Sequence, residues 1–204
     1  MSFQWIIDNA ESISINSMPI VAQTVALDGT VRSTSYGGAA WRIEAKLPDG
    51  PRWSDYRNNI ATAEALGKTT SANVQISNAG QTSWLNAYQG NAASTSGVTA
   101  TYTSGNTITL TAGLSAASGY RLRAGDYIQL GASGSVYRVA ADVPFSSSTV
   151  TLNRPVLEAA GSYSVLIGPA VTWTVRCLDF PQWNIFARDQ VSWSGAFVFQ
   201  EDLT

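Results

Sequence analysis

Fourteen carboxylates, one thiol and no histidine bound the chemistry open to this 204-residue chain. Without an imidazole, neither a Ser-His-Asp nor a Cys-His nucleophilic centre can be built, and a zinc site with histidine ligands is excluded as well. A pair of carboxylates acting as general acid and base on a glycosidic bond is left open, since such a pair is assembled in space rather than along the chain. Asp126, Asp142, Glu158 and Asp179 each stand beside a Gly, a Pro or a strand end, where turn formation and solvation account for them. The chain has no acidic run with calcium-loop spacing and no glycine-rich phosphate loop. The glycines of Leu130-Gly-Ala-Ser-Gly-Ser-Val lie between two strand-like runs and read as a hairpin turn. Trp193-Ser-Gly lacks the second glycine of a nucleophile elbow. Cys177, the single cysteine, alternates with Trp173 and Val175 and reads as a buried small hydrophobe. No metal or cofactor is expected.

Binding chemistry has more material. Seven tryptophans on a chain rich in Ser, Thr and Asn suit a sugar platform, in which aromatic faces meet C–H groups and hydroxyls or amides meet sugar oxygens. Trp5, Trp41, Trp173 and Trp193 fall at inward positions of strand-like runs and are expected in the core. Trp84 and Trp183 lie beside turn-like sequence and are the candidates for exposure to a sugar or a partner. Arg52, Arg57, Arg121 and Arg123 could hold an anion, though a solvated face or interface ion pairs explain them as well.

The elements that position these residues are mostly strands. Residues 11–16 alternate polar and apolar, Met18-Pro19-Ile20-Val21 marks a break, and Asp28-Gly29 signals a tight turn. Trp41, Ile43, Ala45 and Leu47 alternate with Arg42, Glu44 and Lys46, the pattern of a half-buried antiparallel strand. One helix is predicted over 52–66: Trp53, Tyr56, Ile60, Ala63 and Leu66 recur at three- and four-residue spacing and should pack on a sheet. Pro51 suits its start, Asp49 or Ser54 could cap it, and Gly67 closes it. From 77 to 120 the chain is nearly uncharged, and residues 97–111 read as a hairpin of β-branched strands around Ser104-Gly105-Asn106. Four short strands at about ten-residue spacing follow between 121 and 167, suggesting a small sandwich or barrel. Residues 171–176 and 191–199 read as two further long alternating strands.

Only 13% of the residues are charged, about half the usual share. With a net charge of −2, the chain has no global field to attract nucleic acid or an anionic membrane surface. No apolar stretch is long enough to span a membrane, so membrane insertion is not expected, nor is specific nucleic-acid binding. The N-terminus lacks the basic and apolar regions of a secretion signal, which predicts synthesis and folding in a cytosol.

The run Gly125-Asp-Tyr-Ile-Gln-Leu-Gly, then Val136-Tyr-Arg-Val-Ala-Ala-Asp-Val and Val150-Thr-Leu-Asn-Arg-Pro-Val-Leu, resembles segments of tail proteins of long-tailed bacteriophages. The ending Val191-Ser-Trp-Ser-Gly-Ala-Phe-Val-Phe resembles the closing strand of such proteins, and the early order of strands, helix, strands is similar to their tube-like fold. The motifs cover about 120–204; residues 1–75 match in element order alone. The resemblance implies a ring-forming structural subunit, typically hexameric, at the tail tip, assembled in host cytoplasm and most similar to a distal tail (baseplate) protein. Its implied partners are copies of itself, the tail tube, the tape-measure protein, and the hub and fibres; it has no catalytic residues to carry over.

The expectation is therefore a mainly β protein: a β-sandwich or tube-like core from 1–76 and 171–204 with one amphipathic helix, and an inserted small β-barrel or sandwich at 77–170. Trp53, Tyr56, Ile60 and Leu66 should pack helix to sheet. Arg121, Arg123, Asp126, Tyr127 and Tyr137 are the expected subunit interface. An enzyme is not expected; a carbohydrate-binding β-sandwich for host-surface recognition is the second reading.

Overall fold

The computed structural model describes residues 3–25, 30–76, 83–116, 118–186 and 189–203. The Asp28-Gly29 turn lies outside them. In chain order the elements are α1 (Gln4–Asp8), β1 (Ser12–Val25), β2 (Val31–Lys46), α2 (Trp53–Leu66), β3 (Ala72–Gln75), β4 (Thr99–Tyr102), β5 (Thr107–Ala112), β6 (Tyr120–Leu122), β7 (Tyr127–Leu130), β8 (Val136–Arg138), β9 (Val143–Pro144), β10 (Thr149–Thr151), β11 (Gly161–Ile167), β12 (Thr172–Asp179), β13 (Trp183–Phe186), β14 (Gln190–Trp193) and β15 (Phe197–Glu201). The fold is mainly β and sandwich-like.

A five-stranded antiparallel sheet runs β1-β2-β15-β12-β3. Parity decides what it buries: Trp41, Ile43 and Ala45 on β2, Trp173, Val175 and Cys177 on β12, and Phe197 and Phe199 on β15 face one core with at most 2% of their surface exposed. Helix α2 lays Ile60, Ala63 and Leu66 against this core, with Trp53 and Tyr56 partly buried at its edge. The start of α2 differs from expectation. Arg52 occupies the N-cap without a side-chain cap bond; Asp49 instead accepts from the Trp193 amide at 2.9 Å, and the Ser54 hydroxyl donates to Asp55 at 3.3 Å. Gly67 ends the helix at φ +59, a backbone state that favours glycine.

Three further corrections concern elements. The short helix α1, which seats Phe3, Ile6 and Ile7 in the core, was not expected beside α2. Five residues are too few for the spacing that revealed α2 to show. At Met18-Pro19 the strand does not end: β1 continues with a register shift between Pro19 and Val21, because a bulge absorbs the amide that proline lacks. The expected final strand is broken at Ser194-Gly195-Ala196, so that β14 turns away to pair with β13 while β15 enters the main sheet.

The second sheet runs β10-β5-β4-β11-β7-β8, and the β6–β9 pair lies beside it. Its core gathers Val98, Ile108, Leu110, Leu122, Ile128, Leu130, Tyr137, Val150, Val165 and Ile167 among others. The Ser/Thr-rich composition is explained by β5, where Ile108 and Leu110 are buried and Thr107, Thr109 and Thr111 exposed: one face is packed and the other is wet. Residues 98–167 supply this core, yet Tyr127 and Val136 from the same segment belong to the first one. The β7–β8 hairpin thus has a side chain in each core.

Candidate functional site

The aromatic candidates fall at three different places. Trp53 is stacked on Trp183, ring centroids 4.5 Å apart and planes 22° from parallel, and the Trp183 indole N–H donates to Glu64 at 3.2 Å. The two rings occupy each other's faces, so Trp183 is half-buried rather than the free platform expected for it. Tyr56 lies 5.6 Å from Trp5, which is half-buried at the rim of the core rather than inside it. Trp84 is 69% exposed.

The expected interface of Arg121, Arg123, Asp126, Tyr127 and Tyr137 does not form one surface. Asp126 and Tyr137 are at most 2% exposed and Tyr127 8%, so these three are internal; the period-two pattern of 127–137 fixed their alternation but could not show that both faces of this hairpin are covered. Asp126 accepts from the amides of Gln89 and Arg123, both at 2.8 Å, and its burial raises its pKa against the pull of those bonds. Tyr137 donates to Glu158 and accepts from the Leu157 amide at 2.8 Å. Burial first, then that bond to Glu158, moves its pKa upward. Arg121 donates twice to the Phe145 carbonyl, at 3.3 and 3.2 Å. Arg123 lies over the Tyr120 ring at 4.4 Å and pairs with Asp142 at 3.2 Å. The bond from the Ala124 amide, with help from Arg123, holds the Asp142 carboxyl below the usual range. These arginines brace loops; the carboxylates fix backbone.

Two arrangements stand out. At the first, the cores meet around β15. Phe197, Phe199 and Glu201 share the inward parity of that strand, which brings a carboxylate into the interior. Arg154, 3% exposed, donates to Glu201 at 2.7 Å, to the Val136 carbonyl at 2.8 Å and to the Ala39 carbonyl. Glu201 also accepts from the amides of Trp41 and Val136, each at 3.2 Å, and the Trp41 indole donates to the Val136 carbonyl at 2.7 Å. Tyr127 stands edge-on between Trp41 and Trp173, at 5.5 and 5.6 Å. Gln129 adds a bond from the Thr172 amide at 2.9 Å. Neither Arg154 nor Glu201 was a candidate from sequence, although the parity of Glu201 with Phe197 and Phe199 carries the signal.

The second is the β1–β2 hairpin. β15 pairs with β2 over Arg42–Ala45, and Ser12–Val25 pairs with Val31–Lys46 along nearly its full length. Beyond Arg42, among the described residues, the two strands are paired with each other alone. This two-stranded arm extends about 25 Å at roughly 3.3 Å per residue. β1 is also an edge of the five-stranded sheet, its outward backbone groups unpaired by any described strand.

Among the described residues, no group of three or more Cys, Asp or Glu side chains is placed to hold a metal ion, and no helix is long and apolar enough to cross a membrane. The chain matches no family model, and no curated protein matches it.

Proposed function

We propose that the protein is a structural subunit of a bacteriophage tail tip, a ring-forming distal tail (baseplate) protein that joins the tail tube to hub and fibres and acts in the virion. The observation that carries this reading is the β1–β2 arm. Two strands that run past their own sheet expose backbone donors and acceptors which, in a lone molecule, invite unselected pairing. A ring supplies a selected partner: each copy offers its edge to the next, and closure leaves no edge over. Low charge and many small polar residues suit the wide, partly wet contacts that such a ring needs. The tail-like motifs at 125–157 and 191–199 agree with it, since they belong to β7–β10 and to β14–β15 around the junction.

Light scattering after size exclusion, alone and with the tail-tube protein encoded nearby, tests the reading. A hexamer-sized ring, or a ring formed on the tube protein, is the expected result. A chain that stays monomeric in both conditions, and whose neighbouring genes include no tape-measure gene, overturns it. The alternative of a carbohydrate-binding module through Trp84 and Trp183 is weakened by the stacking of Trp183 on Trp53.

A further inference from the structure

A cavity of about 350 Å³ opens where the β7–β8 turn meets the start of β11 and the C-terminal segment, far along the chain from the tryptophans considered for sugar binding. Its walls include Glu158, Ser133, Ser135, Tyr163, Leu157 and Leu203. From these residues we infer a saccharide-binding site, one that takes a neutral sugar ring through adjacent hydroxyls. The inference is independent of ring assembly.

The chemistry follows from how each group is held. Glu158 is the one charged side chain lining the cavity, so an anionic ligand is disfavoured. Its carboxylate is fixed on both oxygens: Oε1 accepts from the Ser135 amide at 2.6 Å, and Oε2 from the Tyr137 hydroxyl, itself fixed by the Leu157 amide. A carboxylate held this way keeps further lone pairs, and these can accept from two neighbouring hydroxyls without the side chain first being ordered. Gly134 makes the approach feasible, since a Cβ there would lie 2.9 Å from Glu158 Oε1 and 1.9 Å from the Leu130 carbonyl oxygen. The hydroxyls of Ser133 and Ser135 bond to no group among the described residues, and as both donors and acceptors they match a ligand with the same dual capacity.

The remaining wall is aromatic and apolar. Tyr163 donates to the Ala159 carbonyl at 2.5 Å, which anchors the ring, and Gly131 and Gly161 flank it; a Cβ at either would stand 3.9 or 3.7 Å from its atoms. Leu157 and Leu203 are 47% and 39% exposed beside it. A half-buried ring with one side on the cavity, apolar neighbours, a fixed carboxylate and unspent hydroxyls are complementary to the C–H face and hydroxyl edge of a pyranose. The cavity volume lies in the range of small-ligand sites. A second cavity of about 160 Å³ shares Ser133, Gly134 and Ser135 and reaches Thr174, giving a linked chain of sugars room to continue toward the junction.

Nuclear magnetic resonance titration of the full chain tests the inference, using methyl glycosides of glucose, galactose, rhamnose and N-acetylglucosamine, with N-acetylargininamide as the competing cationic probe. At least one glycoside should shift the amides of Ser133, Ser135 and Glu158 and saturate below about 50 mM, the range of a weak single-sugar site. Tyr163→Ala and Ser133→Ala should each weaken that binding about tenfold, the loss expected for one good contact. Ser133 is exposed, so its variant keeps the fold even if Tyr163→Ala does not. No saturable shift with any glycoside, shifts that map elsewhere, binding unchanged by Ser133→Ala in a folded protein, or saturation by N-acetylargininamide alone would each overturn the inference.

Discussion

Arg154 and Glu201 form an ion pair at 2.7 Å with side chains only 2% and 3% exposed, and they come from different cores: Arg154 follows β10 of the second unit, and Glu201 ends β15 of the first. Neither charge would be stable at this depth alone. Together with the amides of Trp41 and Val136 and the carbonyls of Val136 and Ala39, they form a polar network in the seam between the sheets, in which Arg154 bonds through its two Nη atoms and its Nε has no partner among the described residues. The seam is therefore directional, with one backbone register satisfying it, and it fixes the base of the β1–β2 arm through Ala39 and Trp41.

Removing one partner leaves the other charge buried and uncompensated. Glu201→Leu or Arg154→Met should each cost about 3–5 kcal/mol, read from urea unfolding midpoints. The double variant Arg154→Met/Glu201→Leu should cost clearly less than the two single losses together, because no orphan charge remains. Strictly additive losses would show that the pair is not coupled.

Tyr127 supports the same seam by packing. Tyr127→Ala removes the ring between Trp41 and Trp173 and should destabilise by about 3–5 kcal/mol, whereas Tyr127→Phe keeps the ring and should stay within about 1.5 kcal/mol of the parent. Thermal unfolding followed by tryptophan fluorescence separates the two. Equal losses would place the effect in the hydroxyl.

Cys177 gives a pH-dependent prediction. Burial is the main cause that raises its thiol from about 9.0 to about 11. Between those values the unfolded chain has lost the proton and the native chain keeps it, so stability is complete below pH 9 and declines as pH rises toward 11. Buried tyrosines shift the same way above pH 10, so the measurement is the difference between the parent and Cys177→Ala: the gap should narrow or reverse over this window. At pH 8 a disulfide reagent should modify native Cys177 at least about a hundredfold more slowly than the unfolded chain. Equal rates would contradict its burial.

Much of the fold could be read from periodicity. The strand at Trp41–Leu47 and the helix over 52–66 show because a single face of each is buried, so composition and spacing repeat together. The β7–β8 hairpin hid its role for the opposite reason: Tyr127, Ile128, Gln129 and Leu130 are all buried, and alternation carries no information where both faces are covered. The seam was hidden because Arg154 and Glu201 are 47 positions apart and only the tertiary fold makes them neighbours. Glu158 looked like a solvated turn acid; its role depends on Tyr137 and Ser135, which sequence separates from it by more than twenty positions.

The arm offers the most direct test of assembly. It pairs with no described strand beyond Arg42, and the described core residues of β2 are Trp41, Ile43 and Ala45, at the base of the arm. Replacing 22–34 by a two-residue Asn-Gly turn, so that Val21 and Ser35 flank it, should shorten the arm while leaving the bonds of Ala39 and Trp41 in place. Ellipticity and the thermal midpoint should change little, because the described residues of the two cores are left in place. Ring formation should be lost, with light scattering reporting a monomer where the parent assembles. Retained rings in the shortened protein would move the subunit contact off the arm; loss of folding together with assembly would mean that the arm belongs to the subunit's own core. The two outcomes are distinguished by the urea midpoint, which reports on the cores, and by particle mass, which reports on the edge.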